Sequence, residues 1–430
     1  MMKRPRILAA CAELPWPVDS GHKLVSLNDL RYLSEFFDID ALNLLPSRVS
    51  DDKLREALDA LKERLPAVRF HEPVRHDISG VHSVFAKGIQ LLRSFVAGVP
   101  YIISKYRNQQ YSNRVRDLIK QNNYSAILVE STPLSFLFTD VPEIFSQGLP
   151  VVFRAHDMLS ETIGKFGAGE RAGLGSMVAR IEAMRTRKFE ERVWRSSTII
   201  APVTQRLTTL IGEHLGVNGQ GKMLYLPVVT ELKRTPESVR DVGSGLVLYV
   251  GTVHYPPNLQ GLKWFIDNVW PRVISRRPDA RFRVIGKGGH LLENSDASVE
   301  ILDYVANLDM HYAEADVLVV PLFSGSGIRL KILESFALGI PVVSTTEGYL
   351  GLDLTPDEEL LAADEAPMFA NALLKILSSG EERARLRKNS AEFVQRYHGV
   401  EGMRSAVRDI GRRLLPGFEE GVGMTGGGRE

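Results

Sequence analysis

The feature that most limits the fold of this chain is a short apolar run followed by a helix-length segment, repeated along the first half and begun afresh after residue 243. Residues 7–11, 39–45, 126–130, 151–153 and 198–200 read as strands, and residues 21–36, 50–65 and 176–195 as helices. Apolar runs bounded by glycine, proline or charge and separated by helices are the mark of a parallel sheet covered on both faces. A second such register runs through residues 246–250, 281–285, 316–320, 341–343 and 360–362, with helices over 257–269 and 328–338. The chain is thus expected to be α/β, with two open parallel sheets of similar size.

Its 430 residues exceed what one hydrophobic core comfortably holds, which agrees with two domains. We read residues 1–205 as the first domain, 206–243 as the connection leading into the second, and 244–397 as the second. Residues 398–415 read as a helix packing across the domains, and the glycine- and charge-rich 416–430 as a disordered tail. A formal charge of +1 argues against a nucleic-acid partner. The single cysteine, Cys11, cannot form an internal disulfide and reads as a buried side chain in a reducing compartment. The apolar run after the basic start is too short for a secretion signal, and no run reaches about 20 apolar residues, so a cytoplasmic location is expected.

Chemistry should gather at the carboxyl ends of the strands, where open α/β sheets bind ligands. Gly21 follows the first strand at the start of a helix, where backbone can approach an anion closely, although a structural loop would look the same. Arg154, His156 and Asp157 follow the strand at 151–153; a lone histidine can be a packing residue, but this setting makes His156 a candidate for function. In the second half, Gly325 and Gly327 give a tight loop, with Ser326 and Ile328, ahead of Arg329, Lys331 and Glu334. Backbone N–H groups opening the next helix, with Arg329 and Lys331 beside them, suit a diphosphate. Lys331 and Glu334, three residues apart, share a helix face, and a carboxylate there suits ribose hydroxyls. A glycine turn with a surface ion pair is the plainer alternative. Gly251 with Thr252, Lys287 between two glycines, and residues 346–348 end neighbouring strands. No GxGxxG follows the first strand and no GxxxxGK[ST] occurs, so neither a dinucleotide nor a phosphate-loop site is supported. No second ligand lies at metal-site spacing from His156, so no metal is expected.

These segments resemble the retaining glycosyltransferases of family 4. The resemblance is carried by Gly251 through Asn258 to Pro271, by residues 281–286 and 315–321, by the loop through Glu334, and by residues 337–343. It implies GT-B architecture: two Rossmann-like domains facing across a cleft, the second binding a nucleotide sugar. Glu334 matches the second glutamate of the family's paired-glutamate motif, which contacts the ribose; Ser326 stands where the first would be. His156 matches the histidine beside the transferred sugar, and Gly21 the glycine of the first loop. Pro256, Pro257 and Asn258 occupy the region that often carries a lysine. The resemblance further implies transfer without a covalent enzyme intermediate, without a cofactor beyond the nucleotide sugar, and without a metal.

The expected donor is a UDP-, GDP- or other nucleoside-diphosphate sugar, and the expected acceptor a sugar, glycan or lipid-linked molecule in polysaccharide or glycoconjugate assembly. Residues 84–106 are apolar and dotted with cations, which suits either a core helix or contact with the inner face of a membrane. A sugar-nucleotide epimerase or phosphorylase, and a binding protein that has lost catalysis, are the competing readings.

Overall fold

In the computed structural model, the described residues run from Arg4 to Phe418, without 19, 78–88, 92–93, 97, 170–173, 217–218, 220, 231, 235–242, 293–295, 304, 306 and 325–328. The chain divides into two units. The first comprises Met1–Val228 with Met403–Glu430, and the second Val229–Gly402.

The first unit is built on strands β1 (Arg6–Cys11), β2 (Asp38–Pro46), β3 (Val68–Phe70), β4 (Val74–His76), β5 (Ala126–Glu130), β6 (Val151–Ala155) and β7 (Ile199–Pro202). Their order is β3-β2-β1-β5-β6-β7, with β4 added alongside β2, and every pairing is parallel. β1 and β5 are almost wholly buried, as apolar strands covered on both faces must be. The helix Gln109–Gln121 turns Val115, Leu118 and Ile119 inward. Its buried Tyr111 donates its hydroxyl to the Leu42 carbonyl at 2.8 Å, satisfying a polar group inside the core.

The helix Gly21–Leu33 begins at Ser20, whose hydroxyl accepts from the Lys23 N–H at 3.3 Å. At helical spacing it carries His22, Ser26 and Asp29. Asp29 accepts from Arg154 Nε at 2.6 Å and Nη2 at 3.1 Å, and both side chains are buried. Arg154 Nη1 also donates to the carbonyls of Ala201 and Leu226. One guanidinium at the end of β6 therefore ties together a helix, β7 and the segment leading out of the unit.

The boundary falls at Val228, within the stretch read from sequence as a connection. The helix Gln205–Leu215 and the bridge of Met223 to Ile200 belong to the first unit. From Met403 the last helix, Val400–Leu414, also belongs to it: Arg404 pairs with Glu35 at 2.8 Å, and Arg413 donates to the Met223 carbonyl at 2.9 Å. The tail beyond Phe418 lies outside the described residues.

The second unit contains β8 (Leu246–Val250), β9 (Arg281–Ile285), β10 (Val299–Leu302), β11 (Val317–Val320), β12 (Val342–Ser344) and β13 (Leu361–Ala362). Their order is β10-β9-β8-β11-β12-β13, all parallel. In both units the order reverses beside the first strand, at β1/β5 and at β8/β11. This is the doubly wound arrangement in which ligands bind beyond the carboxyl ends of the strands flanking the reversal. The core under the second sheet is aromatic, with Phe265, Trp270, Phe282 and Phe369 packed together. Gly261, in the helix Pro256–Trp264, lets that helix lie on the chain leaving β11: a Cβ there would stand 1.8 Å from the Pro321 carbonyl oxygen.

Two stability outcomes follow from these contacts. Gly261→Ala should cost at least about 1–3 kcal/mol, because backbone rather than a flexible side chain must give way. Arg154→Met should cost about 3–5 kcal/mol by leaving Asp29 buried without its partner. Urea unfolding of the purified variants measures both.

Candidate functional site

At the reversal in the second unit, two glycines keep the strand ends open. Gly251 follows β8 at φ 152° and Gly286 follows β9 at φ 156°. A Cβ on Gly286 would stand 1.9 Å from the Gly251 carbonyl oxygen, and one on Gly251 would stand 2.9 Å from Lys331 Nζ. Lys331 comes from the helix Leu330–Ala337, which follows β11, and reaches across to β8. Its ammonium lies 4.3 Å from the centroid of the Tyr249 ring and donates to the Tyr249 hydroxyl at 3.2 Å.

Burial holds the Lys331 pKa down to about 7, helped by the neighbouring Arg329 charge and opposed by Glu334. Glu334 is half-buried on the same face, three residues on, and burial raises its pKa against the pull of Lys233 and Lys331. Tyr312, in the helix Asp309–Glu314, is buried with its hydroxyl unpartnered; burial and the Glu334 charge both raise its pKa. Arg329 is buried at the start of the Lys331 helix and donates to the Glu347 carbonyl at 3.1 Å, which joins the loop after β12 to this group.

The Lys287 side chain is exposed. Its carbonyl accepts from the Val253 N–H at 2.9 Å, so the strand-end loops at Gly251 and Gly286 are bonded to each other. The structure thus gathers Gly251, Lys287, Arg329, Lys331 and Glu334 at one edge of one sheet. Gly325, Ser326, Gly327 and Ile328 lie outside the described residues. Sequence reasoning missed Tyr249 and Tyr312. Tyr249 carries a readable signal, a polar tip within an otherwise aliphatic strand.

The first unit has its own cluster at the equivalent edge. His156 follows β6, Glu130 ends β5, and His22 stands one residue beyond Gly21 in the first turn of its helix. The rings of His22 and His156 lie 4.4 Å apart, and His156 Nε2 is 3.7 Å from Glu130 Oε1. Ser26 donates its hydroxyl to the same Glu130 oxygen, and the buried Cys11 lies close enough to this carboxylate for each to shift the other's pKa. Burial raises the pKa of Glu130 and pushes that of His156 well down, where the His22 and Arg154 charges add to the effect. Gly21, the residue before His22, is exposed. The expectation of no metal rested on spacing along the chain, and folding has brought two histidines and a carboxylate together that spacing did not reveal.

Asp157 lies within electrostatic reach of Glu190, whose carboxylate accepts from the Leu159 N–H at 2.7 Å. Burial raises the pKa of Asp157 to about 6 and that of Glu190 to about 8.

Residues 244–379 match the family described as Glycosyl transferases group 1. An uncharacterized 44.6 kDa protein in the cps region of Klebsiella pneumoniae is 26% identical over 172 residues, 37% of this chain and 44% of that protein's length. Among solved structures, Anabaena Alr3699/HepE in complex with UDP aligns at a TM-score of 0.63 with 12% identity, covering 94% of this chain and 99% of that one. Sucrose-phosphate synthase from Thermosynechococcus elongatus aligns at 0.64 with 15% identity, covering 95% and 99%. The second unit therefore carries a glycosyl transferases group 1 domain, and the chain has the GT-B fold of glycosyltransferases.

Proposed function

We propose that the protein is a retaining glycosyltransferase of the family 4 type, taking a sugar from a nucleoside-diphosphate donor to a sugar, glycan or lipid-linked acceptor. The observation that carries this reading is the Lys331–Glu334 pair at the β8/β11 reversal, set within a domain of the matching family. Glu334 accepts from the ribose hydroxyls, while Lys331, Arg329 and the N–H groups of residues 325–328 hold the diphosphate, with Gly251 and Lys287 at its edge. The UDP bound by the Anabaena neighbour makes a uridine donor the first to try.

In the transfer step the bond from the anomeric carbon to the leaving phosphate oxygen breaks. The acceptor oxygen bonds on the same face, and its proton passes to the departing diphosphate. Arg329 and Lys331 offset the negative charge that develops there, so added Mg²⁺ or Mn²⁺ is not required. His156 lies beside the transferred sugar, with Gly21 next to it. The cps-region relative supports a place in polysaccharide assembly.

A membrane-bound acceptor is favoured by the helix Leu174–Ser196. Met177, Ile181 and Met184 recur on one face at i, i+4 and i+7 and are all exposed, with exposed Arg180 and Lys188 beside them. Phe95 and Val96 are exposed nearby in the chain segment that Arg185 holds against this helix. Phe85 and the rest of residues 78–88 lie outside the described residues. An apolar stripe flanked by cations suits an anionic bilayer surface. Among the described residues no helix is long and apolar enough to cross a membrane.

Calorimetry in EDTA with nucleoside, nucleoside diphosphate and sugar nucleotide tests the donor site. Glu334→Gln should weaken all three ligands by about 1.5–3 kcal/mol, the worth of a hydrogen bond to a charged group. Lys331→Ala should weaken only the two that carry phosphate, and equal losses for all three would remove it from the diphosphate. Because free Lys331 titrates at about 7, diphosphate affinity should be full below that pH and decline as pH rises through it, with a proton taken up on binding. For the membrane surface, the full chain should sediment with vesicles containing phosphatidylglycerol more than with phosphatidylcholine alone. Replacing Met177 and Met184 together by Asp should abolish the difference.

A further inference from the structure

The helix Asp309–Glu314 leads into β11, and the helix Leu330–Ala337 leads out of it. The steps from β10 to β11 and from β11 to β12 run in the same direction across the sheet. Right-handed crossovers therefore lay both helices on one face. Tyr312 lies on the first and Glu334 on the second, close enough for the Glu334 charge to act on the Tyr312 hydroxyl. That hydroxyl tips a side chain only 5% exposed, and it has no hydrogen-bond partner. A buried polar group left unpaired costs stability, and in a native protein it calls for a reason. Phenylalanine would fill the same space without that cost.

A second neighbour comes from the chain entering this unit. The N–H groups of Lys233 and Arg234 both donate to the Ala337 carbonyl, at 2.8 and 3.1 Å, which fixes the segment against the last turn of the Glu334 helix. Ala337 stands three residues beyond Glu334, so the exposed Lys233 comes within electrostatic reach of the half-buried carboxylate. We propose that Tyr312 and Lys233 are positioning residues for Glu334: the hydroxyl donates to the ionised carboxylate, and the ammonium holds it in that state, so that its remaining acceptor sites face the ribose. The inference rests on reading Glu334 as the acceptor of the ribose hydroxyls.

An ionised carboxylate accepts at about four positions, so two vicinal hydroxyls leave room for a third donor. Protonation would turn one of those positions into a donor. Burial pushes Glu334 toward that state, and Lys233 and Lys331 pull it back. Lys331 is itself weakened by burial and by Arg329, which leaves Lys233 a share of the work. Tyr312 keeps its proton, because burial and the Glu334 charge both raise its pKa, and it is therefore a donor throughout. The hydroxyl is not yet bonded to the carboxylate in this structure, so Glu334 closes the contact by turning its side chain.

The test titrates the full chain with UDP, GDP and ADP and with their 2′,3′-dideoxy forms across a pH series. The ratio of the two affinities isolates the ribose and cancels the diphosphate's dependence on Lys331. In the wild type this ribose preference should fall as pH drops through the Glu334 pKa. Tyr312→Phe should reduce it about three- to tenfold, the worth of one hydrogen bond, while leaving the melting temperature unchanged or raised. Lys233→Met, at an exposed site where water screens the charge, should reduce it less, and Lys233→Arg should restore it. Donation and positive charge both favour the ionised form, so Tyr312→Phe and Lys233→Met should each move the acid-side decline to higher pH, which a merely structural role would not do. A ribose preference lost in Glu334→Gln but unmoved in both other variants, in size and in pH, overturns this inference alone. Absence of any ribose preference, or its survival in Glu334→Gln, overturns the ribose role of Glu334 and the inference with it.

Discussion

The second unit depends on the absence of side chains where β8 and β9 end. Gly251 and Gly286 touch backbone to backbone, and their loops are bonded through the Lys287 carbonyl. A methyl group at either position would strike the partner loop or the Lys331 ammonium. With the space clear, Lys331 can cross the point where strand order reverses and rest on Tyr249, a residue of the neighbouring strand. The sheet's topology creates a crevice there, and the two glycines keep side chains out of it.

The two units answer a common topological problem with different polar chemistry. Each has a parallel sheet whose first strand is flanked on both sides, and in each the polar groups gather beyond that strand. In the second unit the excess charge is cationic, from Arg329 and Lys331, and it faces a single half-buried carboxylate. In the first unit Arg154 is already consumed by Asp29 and two carbonyls, so it serves the fold. The groups left over are two imidazoles and Glu130. One edge is suited to an anion, the other to a cation or to hydroxyl groups.

The long buried strands were legible because apolar runs such as 126–130 and 246–250 leave no exposed face. β3 and β10 were not, because they are short edge strands, and charged residues such as Arg69 and Glu300 break their pattern. β4, beside β2, hides in the same way behind Arg75. Lys331 and Glu334 could be read together since three residues on a helix guarantee a shared face. His156 could be singled out by its strand end, but its neighbours could not. His22 and Glu130 lie far from it in sequence, and only the parallel pairing of β1, β5 and β6 brings them beside it.

Burial of ionisable groups at both edges explains why they are poised rather than merely present. An ammonium whose pKa burial lowers to about 7 and a carboxylate that burial raises above its ordinary value each carry a cost, because burial penalises the charged form of both. On the proposed reading, a diphosphate restores the charge that Lys331 lacks, and ribose hydroxyls satisfy Glu334. The unpaired Tyr312 hydroxyl beside Glu334 belongs to the same account. On that reading a ligand with both phosphate and ribose offsets the cost of burying both groups, and one with phosphate but no ribose, or ribose but no phosphate, would offset only half of it.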